Sequence, residues 1–331
     1  MRIAFFEVKP WEQIYLSEKL REHELVFFEE PLNERNLMQV DDCEAISIFI
    51  YSKVGKYVLD KMPKLKLVAT RSTGFDHIDI EDCKKRKINV SHVPFYGENT
   101  VAEHAFGLIL SLSRNIHKSY VRTLRDDFSI DGLTGFDLKD KTIGIIGGGN
   151  IGMHVARMAK GFQMNVLVYD IKRDEKLAKS IGFKYAELDD LIKDSDVISL
   201  HVPYNKFTHH LINEEKISLM KRGVILINTA RGGIIDTTAL LWALEKRIIG
   251  GLGLDVIEGE HLIQEEKQLL HESDNVDKWK EIVRAHRIFR MDNVVFTPHN
   301  AFNSKEALTR ILDATIENIK LVNKKHGNRI G

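Results

Sequence analysis

The chain has 331 residues, with 48 Lys and Arg against 48 Asp and Glu, so its formal net charge is zero at pH 7. This length is sufficient for two domains with well-buried cores. The balanced charge provides no basic surface for nucleic acid or an anionic membrane, and no apolar run approaches the ~18 residues that cross a bilayer, so we expect a small molecule as the partner.

The amino terminus predicts a β-strand rather than a targeting segment. Residues 1–8 lack a basic stretch followed by a long apolar core, so we expect a cytoplasmic protein. Two cysteines, Cys43 and Cys83, fit a reducing compartment, and a disulfide between them is the less favoured alternative. No C-x-x-C pair is present, and the 14 histidines show no metal-ligand spacing, so we expect no metal site.

The first part of the chain alternates between strand-like and helix-like stretches, which predicts an α/β unit. The predicted strands are 2–6, 24–28, 46–50, 67–70 and 89–91. After turn-forming residues at 94–97, an apolar stretch runs from Thr100 to about Ser113. Apolar residues cover nearly every face of this predicted helix, so we expect it to be buried on both sides, between domains or against another subunit.

A glycine-rich turn between a strand and a helix is the strongest functional signal. Residues 141–152 read KTIGIIGGGNIG, with Gly147, Gly149 and Gly152 at G-x-G-x-x-G spacing. The first two glycines allow a tight turn close to a pyrophosphate, and the third lets the helix pack on the strand. The helix begins near Asn150 and Ile151 and points its N–H groups at the phosphates. We therefore predict a dinucleotide site.

The residue that ends the next strand indicates which dinucleotide binds. Strand 165–169 leads to Asp170, 23 residues after Gly147, where a carboxylate can accept hydrogen bonds from the adenosine ribose. This favours NAD over NADP. Lys172 and Arg173 follow and could bind a 2′-phosphate, but we favour a solvated turn for this pair.

The second α/β unit begins near residue 141 and continues almost to the end of the chain. Its further predicted strands are 197–202, 224–228, 251–256 and 294–297. We interpret 261–290, which is charged and helix-like, as a solvated surface excursion. Helical periodicity over 304–324 predicts a last helix that returns to the first unit. The predicted fold class is α/β, with two doubly wound parallel-sheet domains.

Polar side chains follow several of these strands, at the edge where open α/β sheets bind ligands. Hydride transfer to a keto acid needs a cation for the carboxylate and an acid for the oxygen that becomes an alkoxide. The planar fork of Arg231 suits a carboxylate, and His299 can exchange protons near neutral pH. Asp255 and Glu260 are candidate supporting acids. Each of these residues could also be an ordinary loop or packed side chain.

Several ordered strings resemble the D-isomer-specific 2-hydroxyacid dehydrogenases. They are NTARGGIID at 228–236, GLDV at 253–256 and TPH at 297–299. Others resemble the D-lactate dehydrogenase branch in particular. These are RSTGFDHID at 71–79, VPFY at 93–96, VAE at 101–103 and HVP at 201–203. The resemblance covers essentially the whole chain.

The resemblance implies a domain organisation. It implies a flavodoxin-like substrate domain, residues 1–98 and 303–331, with an inserted Rossmann NAD-binding domain, residues 99–302. Relatives are dimeric across the region of the apolar helix that begins near Thr100, which implies a homodimer built largely on that helix.

The resemblance also implies a catalytic trio of Arg231, Glu260 and His299, with spacings of 29 and 39 residues. Protonated His299 would donate to the keto oxygen, Glu260 would support the charged imidazole, and Arg231 would hold the carboxylate. Glu258 is the competing acid, and the spacing from Arg231 favours Glu260.

Substrate contacts are implied in the same way. The backbone N–H groups of Thr73 and Gly74 would bind the carboxylate, and Tyr96 would line the site. Tyr51 and Phe302 would crowd the space beside the third carbon of the substrate, although ordinary core packing is the alternative for both.

Among the cofactor contacts, Asp255 would accept a hydrogen bond from the nicotinamide carboxamide. The other contacts beyond the glycine turn are expected from His201, Val202, Pro203, Thr229 and Ala230. This sequence departs from relatives at Asn300 and Asn303, where apolar or aromatic residues are commoner.

We favour an NAD-dependent enzyme that interconverts D-lactate and pyruvate. A dehydrogenase for a bulkier acid, of the 2-hydroxyisocaproate or phenyllactate type, is the first alternative. An NAD(H)-sensing corepressor-like binding protein is less favoured, because the chain carries no extra tails.

Overall fold

The computed structural model describes residues 1–260 and 276–321. The chain divides into two compact units, Met1–Gly97 with the chain from Asn303 onward, and Glu98–Phe302. Each unit has its own parallel sheet with one apolar cluster on each face. The predicted fold class, two doubly wound α/β domains, is confirmed.

The first unit is built on five short strands. They are β1 Arg2–Phe5, β2 Glu24–Phe27, β3 Ala45–Ile48, β4 Leu67–Thr70 and β5 Asn89–Ser91. The helices between them are α1 Pro10–Lys19, α2 Glu34–Leu37, α3 Lys56–Lys61 and α4 Ile80–Lys85. All strand pairs are parallel and the order is β2-β1-β3-β4-β5, which is the flavodoxin-like order.

The C-terminal helix, Lys305–Lys320, returns to this sheet as predicted. The Ser304 hydroxyl caps it by accepting from the Ala307 N–H. Leu312 and Ile316 pack in the same cluster as alternate residues of the strands, because side chains of a strand alternate between its two faces. Residues 322–324 of the predicted helix lie outside the described residues.

Strand β3 ends two residues before the predicted end. The carboxylate of Glu7 accepts hydrogen bonds from the backbone N–H groups of Phe49 and Tyr51, both at 2.9 Å. It also accepts from the hydroxyl of Ser52. These bonds turn the chain away from the sheet just beyond β3.

The second unit contains seven parallel strands. They are β6 Thr142–Ile146, β7 Asn165–Tyr169, β8 Lys184–Tyr185, β9 Val197–Leu200, β10 Val224–Asn228, β11 Ile249–Leu254 and β12 Val294–Phe296. Its helices are α5 Glu98–Ser113, α6 Ile116–Thr123, α7 Asn150–Gly161, α8 Glu175–Ile181, α9 Leu188–Asp194, α10 Glu214–Ser218, α11 Thr237–Glu245 and α12 Val276–Phe289. The order β12-β11-β10-β9-β6-β7-β8 reverses its direction at β6, as in a Rossmann sheet.

Helix α5 is buried by its own unit, which corrects the predicted reason for its apolar faces. Ala105, Phe106, Leu108, Ile109 and Leu112 are all buried in the cluster that α5 forms with α7 and the sheet. A helix packed against a sheet on one side and a helix on the other needs apolar residues nearly all round. The predicted helix therefore exists, but a second subunit is not needed to cover it.

Helix α12 also differs from its prediction. Ile282, Ala285 and Ile288 are buried, so this helix has a core-facing stripe and is not a solvated excursion. Residues 261–275 of the predicted excursion lie outside the described residues. In the described ranges, no helix combines the length and the apolar character needed to cross a membrane.

Both cysteines are free and buried in the first unit. The disulfide alternative is therefore wrong. Burial raises the pKa of Cys43 and that of Cys83 to about 11, so both thiols are protonated at neutral pH. The two cysteines are packing residues.

Candidate active site

The glycine turn is shaped to receive a dinucleotide. Gly147 has a φ of +106°, and a Cβ there would lie 2.6 Å from the carbonyl of His201. A Cβ on Gly152 would lie 2.0 Å from the Gly147 carbonyl oxygen, so the helix packs too closely on the turn for any side chain. Gly149 precedes α7 and has open space around it. The amides at the start of α7, including those of Asn150 and Ile151, are therefore available for a phosphate.

Asp170 lies beside this turn, as a ribose acceptor must. Its Oδ2 accepts from the Gly148 N–H at 2.7 Å, and its Oδ1 accepts from the Lys172 N–H at 2.8 Å. These bonds fix the carboxylate at the end of β7. Arg173 is engaged elsewhere, since its guanidinium pairs with Glu187 at 2.6 Å and lies over the ring of Tyr185.

Two buried oxygen atoms at the carboxyl edge of the sheet fit a bound ligand. The Thr229 Oγ1, just after β10, and the Asn300 Oδ1, after β12, have no hydrogen-bond partner in the described part of the chain. Buried polar atoms are normally paired, so each is suited to a ligand that brings a hydrogen-bonding group. Together with the glycine turn, they show that the residues present fit a dinucleotide. The sequence analysis identified Asn300 only as a position that differs from relatives, and not as a candidate ligand-binding residue.

His201 lies at the end of β9 next to Val202 and Pro203. Its Nε2 is 2.8 Å from the Ser199 hydroxyl, and burial lowers the pKa of His201 to about 4. The imidazole is therefore neutral at physiological pH. Its carbonyl approaches Gly147 closely, so this segment forms one wall of the dinucleotide turn.

His299 and Glu260 lie side by side at the same edge of the sheet. Their Nδ1 and Oε2 atoms are 3.4 Å apart, and the two side chains are 25% and 20% exposed. His299 has a left-handed backbone with φ of 50°, a conformation that non-glycine residues rarely adopt. Its N–H donates to the Asp255 carbonyl at 3.0 Å. The tight turn thus presents a partly solvated imidazole beside a carboxylate.

Asp255 holds that turn. Its Oδ1 accepts from the Thr297 hydroxyl at 2.5 Å and from the Asn300 N–H at 3.0 Å, and its Oδ2 accepts from the Ala301 N–H at 2.9 Å. The residue is only 1% exposed. The carboxylate thus supports the turn after β12, and its role as an acceptor for the nicotinamide carboxamide stays a prediction.

His104, a polar residue of the apolar helix α5, also supports this turn. Its Nε2 lies 2.9 Å from the Thr297 hydroxyl and 3.5 Å from the Asp255 Oδ1. The sequence analysis did not identify His104, although a titratable residue within the apolar stretch from Thr100 to Ser113 was a usable signal.

Arg231 precedes a short 3₁₀ helix, Gly232–Ile234, that follows β10. Its Nη1 donates only to the neighbouring Ala230 carbonyl at 2.7 Å, and its own carbonyl accepts from the Asn228 side chain at 2.9 Å. Within residues 1–260 and 276–321, no carboxylate pairs with its guanidinium. A partly exposed arginine with free donors at this edge can bind an anionic substrate.

Glu258 is bound elsewhere in the unit. Its Oε1 is 2.7 Å from the Nε2 of His210, and its Oε2 accepts from the Thr237 hydroxyl at 3.0 Å. Glu260 is thus the acid that lies beside His299, whereas Glu258 is bound to His210 and Thr237. The spacing argument and the geometry favour the same residue.

In the first unit, the predicted substrate residues all follow strands at the carboxyl edge of the sheet. Tyr51 follows β3 and is 45% exposed; Thr73 and Gly74 follow β4. Tyr96 follows β5, and its carbonyl accepts from the Arg310 Nε at 2.6 Å. The Thr73 hydroxyl donates to the Val93 carbonyl at 2.9 Å. Phe302, at the end of the second unit, is partly buried.

Arg71 lies directly after β4 and stabilises the neighbouring backbone through hydrogen bonds to carbonyl groups. It is 2% exposed, and its guanidinium donates to the carbonyls of Phe6 and Glu7 at 2.7 and 2.8 Å. Burial lowers its pKa, and the nearby acids Glu12 and Glu7 oppose that shift. We interpret Arg71 as a structural residue that provides hydrogen bonds to buried carbonyl groups at the ends of strands.

Comparison with known proteins places this geometry in a family. Residues 106–301 match the family described as D-isomer specific 2-hydroxyacid dehydrogenase, NAD binding domain. The chain belongs to the D-isomer-specific 2-hydroxyacid dehydrogenase family. A 2-hydroxyacid dehydrogenase homolog of Haemophilus influenzae is 39% identical over 326 residues, covering 96% of this chain and 95% of that protein.

Two D-lactate dehydrogenases resemble this 2-hydroxyacid dehydrogenase along nearly their whole length. That of Escherichia coli K12 is 38% identical over 328 residues, covering 98% of this chain and 97% of that protein. The crystal structure of D-lactate dehydrogenase from Aquifex aeolicus, complexed with NAD and lactic acid, has a TM-score of 0.86 and 41% identity over 97% of this chain and 95% of that one. The predicted family and the NAD cofactor are confirmed.

For this dehydrogenase, we expect a preference for NADH over NADPH of at least about tenfold in kcat/KM, which corresponds to about 1.4 kcal/mol. The 2′-phosphate of NADPH would meet the Asp170 carboxylate. Asp170→Ala should lower the ratio of kcat/KM for NADH to that for NADPH, as measured by the rate of oxidation of each nucleotide. Equal efficiency in the wild type would mean that Lys172 and Arg173 control the choice.

Proposed function

We propose that this chain is a D-lactate dehydrogenase that interconverts pyruvate and D-lactate. The observation that carries the proposal is the arrangement of three side chains in the second unit. A carboxylate and an imidazole, Glu260 and His299, face each other at 3.4 Å, and Arg231 follows a neighbouring strand with free donors. The names of the Aquifex and Escherichia relatives support lactate as the substrate.

Each member of the trio has one task in the proposed reaction. The bound cofactor supplies or accepts the hydride. Arg231 binds the carboxylate through its planar fork and polarises the keto oxygen. Protonated His299 donates to that oxygen as it becomes an alkoxide, and takes the proton back during oxidation of the alcohol. Glu260 orients the imidazole and favours its charged form.

Further residues of each unit would hold the reactants. We propose that the glycine turn, Asp170 and residues 201–203 bind the cofactor, with Thr229 and Ala230 near the nicotinamide half. The N–H groups of Thr73 and Gly74, with Tyr96, would contact the substrate. The first unit is then the substrate domain and the second the NAD-binding domain.

The experiment is a panel of keto acids with NADH. We expect pyruvate to have a higher kcat/KM than 2-ketoisocaproate, phenylpyruvate, hydroxypyruvate or glyoxylate, and the product to be the D isomer. A higher kcat/KM for 2-ketoisocaproate or phenylpyruvate would indicate a dehydrogenase for bulkier acids. Absence of turnover with every acid, together with tight NADH binding, would indicate a binding protein.

Substrate size provides a further prediction. If Tyr51 and Phe302 crowd the third carbon of the substrate, Tyr51→Leu should raise the relative kcat/KM for 2-ketoisocaproate at least tenfold. Space for a methylene group in such a pocket is worth about 1 to 3 kcal/mol. An equal loss on pyruvate and 2-ketoisocaproate would mean that Tyr51 supports the fold and does not set specificity.

We also propose a homodimer, formed through a surface other than the predicted one. The segment after α5 exposes six large apolar side chains, each between 45% and 81% exposed: Ile116, Tyr120, Val121, Leu124, Phe128 and Ile130. Helix α6 has no buried residue in this chain. A continuous apolar segment of this kind is typical of a subunit interface, and a second copy is the occupant that we propose.

Light scattering tests the dimer. We expect a dimer at micromolar concentration, and Leu124→Asp with Phe128→Asp should give a monomer because each charge would be buried in the interface. Trp11→Asp, at an exposed apolar residue of the first unit, is the matched control and should remain dimeric. A monomeric wild type would contradict the proposal.

A further inference from the structure

A further pair of a carboxylate and an imidazole, Glu258 and His210, lies in the same unit as Glu260 and His299. The Nε2 of His210 is 2.7 Å from the Oε1 of Glu258, closer than the 3.4 Å of the Glu260 and His299 pair. Its side chains are 33% and 28% exposed. The other oxygen of Glu258 accepts from the Thr237 hydroxyl at 3.0 Å. Both oxygens of this carboxylate are therefore engaged by protein donors.

The pair joins two backbone segments that are already in contact. The His210 N–H donates to the Gly233 carbonyl at 2.9 Å, and the Ile212 N–H donates to the Ile234 carbonyl at 3.1 Å. His210 is thereby fixed to the segment that follows Arg231. Glu258 belongs to the next segment, two residues before Glu260. The hydrogen bond between His210 and Glu258 therefore connects the segment that follows Arg231 to the segment that contains Glu260.

Two further observations show that this junction is tight. A Cβ on Gly232 would lie 2.1 Å from the Ile257 carbonyl carbon and 2.3 Å from the Glu258 nitrogen. The backbone directly after Arg231 is therefore in close contact with the backbone just before Glu260. On the other side, the ring of His209 stacks on that of His210, with centroids 3.9 Å apart. The stack restricts the orientation in which the His210 ring can meet Glu258.

We propose that His210 and Glu258 are positioning residues for hydride transfer. The hydrogen bond between them sets the distance and angle between the segments that contain Arg231 and Glu260. It therefore sets the position of the substrate relative to His299. Neither residue exchanges a proton with the substrate, because both oxygens of the Glu258 carboxylate are engaged by His210 and Thr237. The proposal rests on the proposed roles of the catalytic trio.

The chain offers matched variants for a test. His210→Phe keeps a ring to stack on His209 but removes the N–H that Glu258 accepts. His210→Gln places an amide N–H near the position of the Nε2 and should restore the bond. His209→Phe is the control, since it keeps a ring to stack on His210 and removes the contact of His209 with Tyr204 at 3.1 Å.

We expect His210→Phe to lower kcat/KM for pyruvate by ten- to a hundredfold, because misplacement of catalytic groups by about 1 Å has effects of that size. His210→Gln should remain within threefold of the wild type, and so should His209→Phe. The pH at which reduction declines should move lower in His210→Phe, as in Glu260→Gln, because protonated His299 loses its aligned partner in both.

Combination with Glu260→Gln separates positioning from a general effect on stability. If His210 acts through Glu260, His210→Phe should shift the pH profile little further in the Glu260→Gln background. An unchanged pH profile in His210→Phe alone, or shifts in the two variants that simply add, would overturn the proposal. If the wild type reduces no keto acid, the proposed function fails first. If Glu260→Gln shifts the profile and His210→Phe does not, only the positioning pair fails.

Discussion

Replacement of His299 by alanine should reduce turnover by about 10²- to 10⁴-fold, the usual contribution of a general acid, while NADH affinity stays nearly unchanged. The imidazole lies beside Glu260 on a turn held by Asp255, and the glycine turn belongs to a different loop. Loss of the ring therefore removes the proton donor without removing cofactor contacts. Stopped-flow turnover and NADH fluorescence titration measure the two quantities separately.

The partner of His299 provides the control. In the wild type, reduction should decline as pH rises, because only the protonated imidazole can donate. Glu260→Gln keeps the shape of the side chain but removes the charge that stabilises the imidazolium, so the decline should begin at lower pH. A profile with the wild-type midpoint would show that Glu260 does not face His299 during catalysis.

Arg231→Gln should have the second large effect, a loss of about 10²- to 10³-fold in kcat/KM for pyruvate. Two hydrogen bonds from a guanidinium to a carboxylate are worth about 3 to 5 kcal/mol together. Much of the loss should be a higher KM, since the arginine binds the ground state as well as the transition state. NADH affinity, measured by titration, should stay within a few-fold of the wild type.

Two further measurements make the arginine prediction specific. Arg231→Lys should recover only part of the activity, because a lysine keeps the charge but lacks the planar fork. Free guanidinium added to Arg231→Ala should restore some turnover if the lost group is the carboxylate clamp. An unchanged KM for pyruvate in all three variants would remove Arg231 from the substrate site.

The sequence predicted those parts of the fold that depend on local pattern. Glycine spacing and the apolar strand identified the turn at Gly147, and short apolar runs located most strands to within two residues. The choice of Glu260 over Glu258, by contrast, came from the resemblance to the family, through the spacing of 29 residues from Arg231. The glycine turn and the strands follow from the order of side chains along one segment, which a sequence displays directly.

Features that depend on contacts between distant segments were not predictable in this way. The all-round apolar character of α5 suggested a subunit interface, but its second covering layer is α7, some 50 residues further along the chain. Asp255 lies among ligand-binding residues, yet its carboxylate holds the turn after β12. The pair of His210 and Glu258 joins residues 48 positions apart, and no periodicity records such a bond.

The close approach at Gly232 limits how this enzyme can be redesigned. Any side chain there would push the adjacent backbone at Ile257 away by about an ångström or more to regain ordinary van der Waals separation. Such a displacement would alter the chemistry for every substrate alike. Libraries that aim at new keto acids should therefore leave residue 232 as glycine and vary exposed positions of the first unit such as Tyr51, where we propose that side-chain volume affects the choice of substrate.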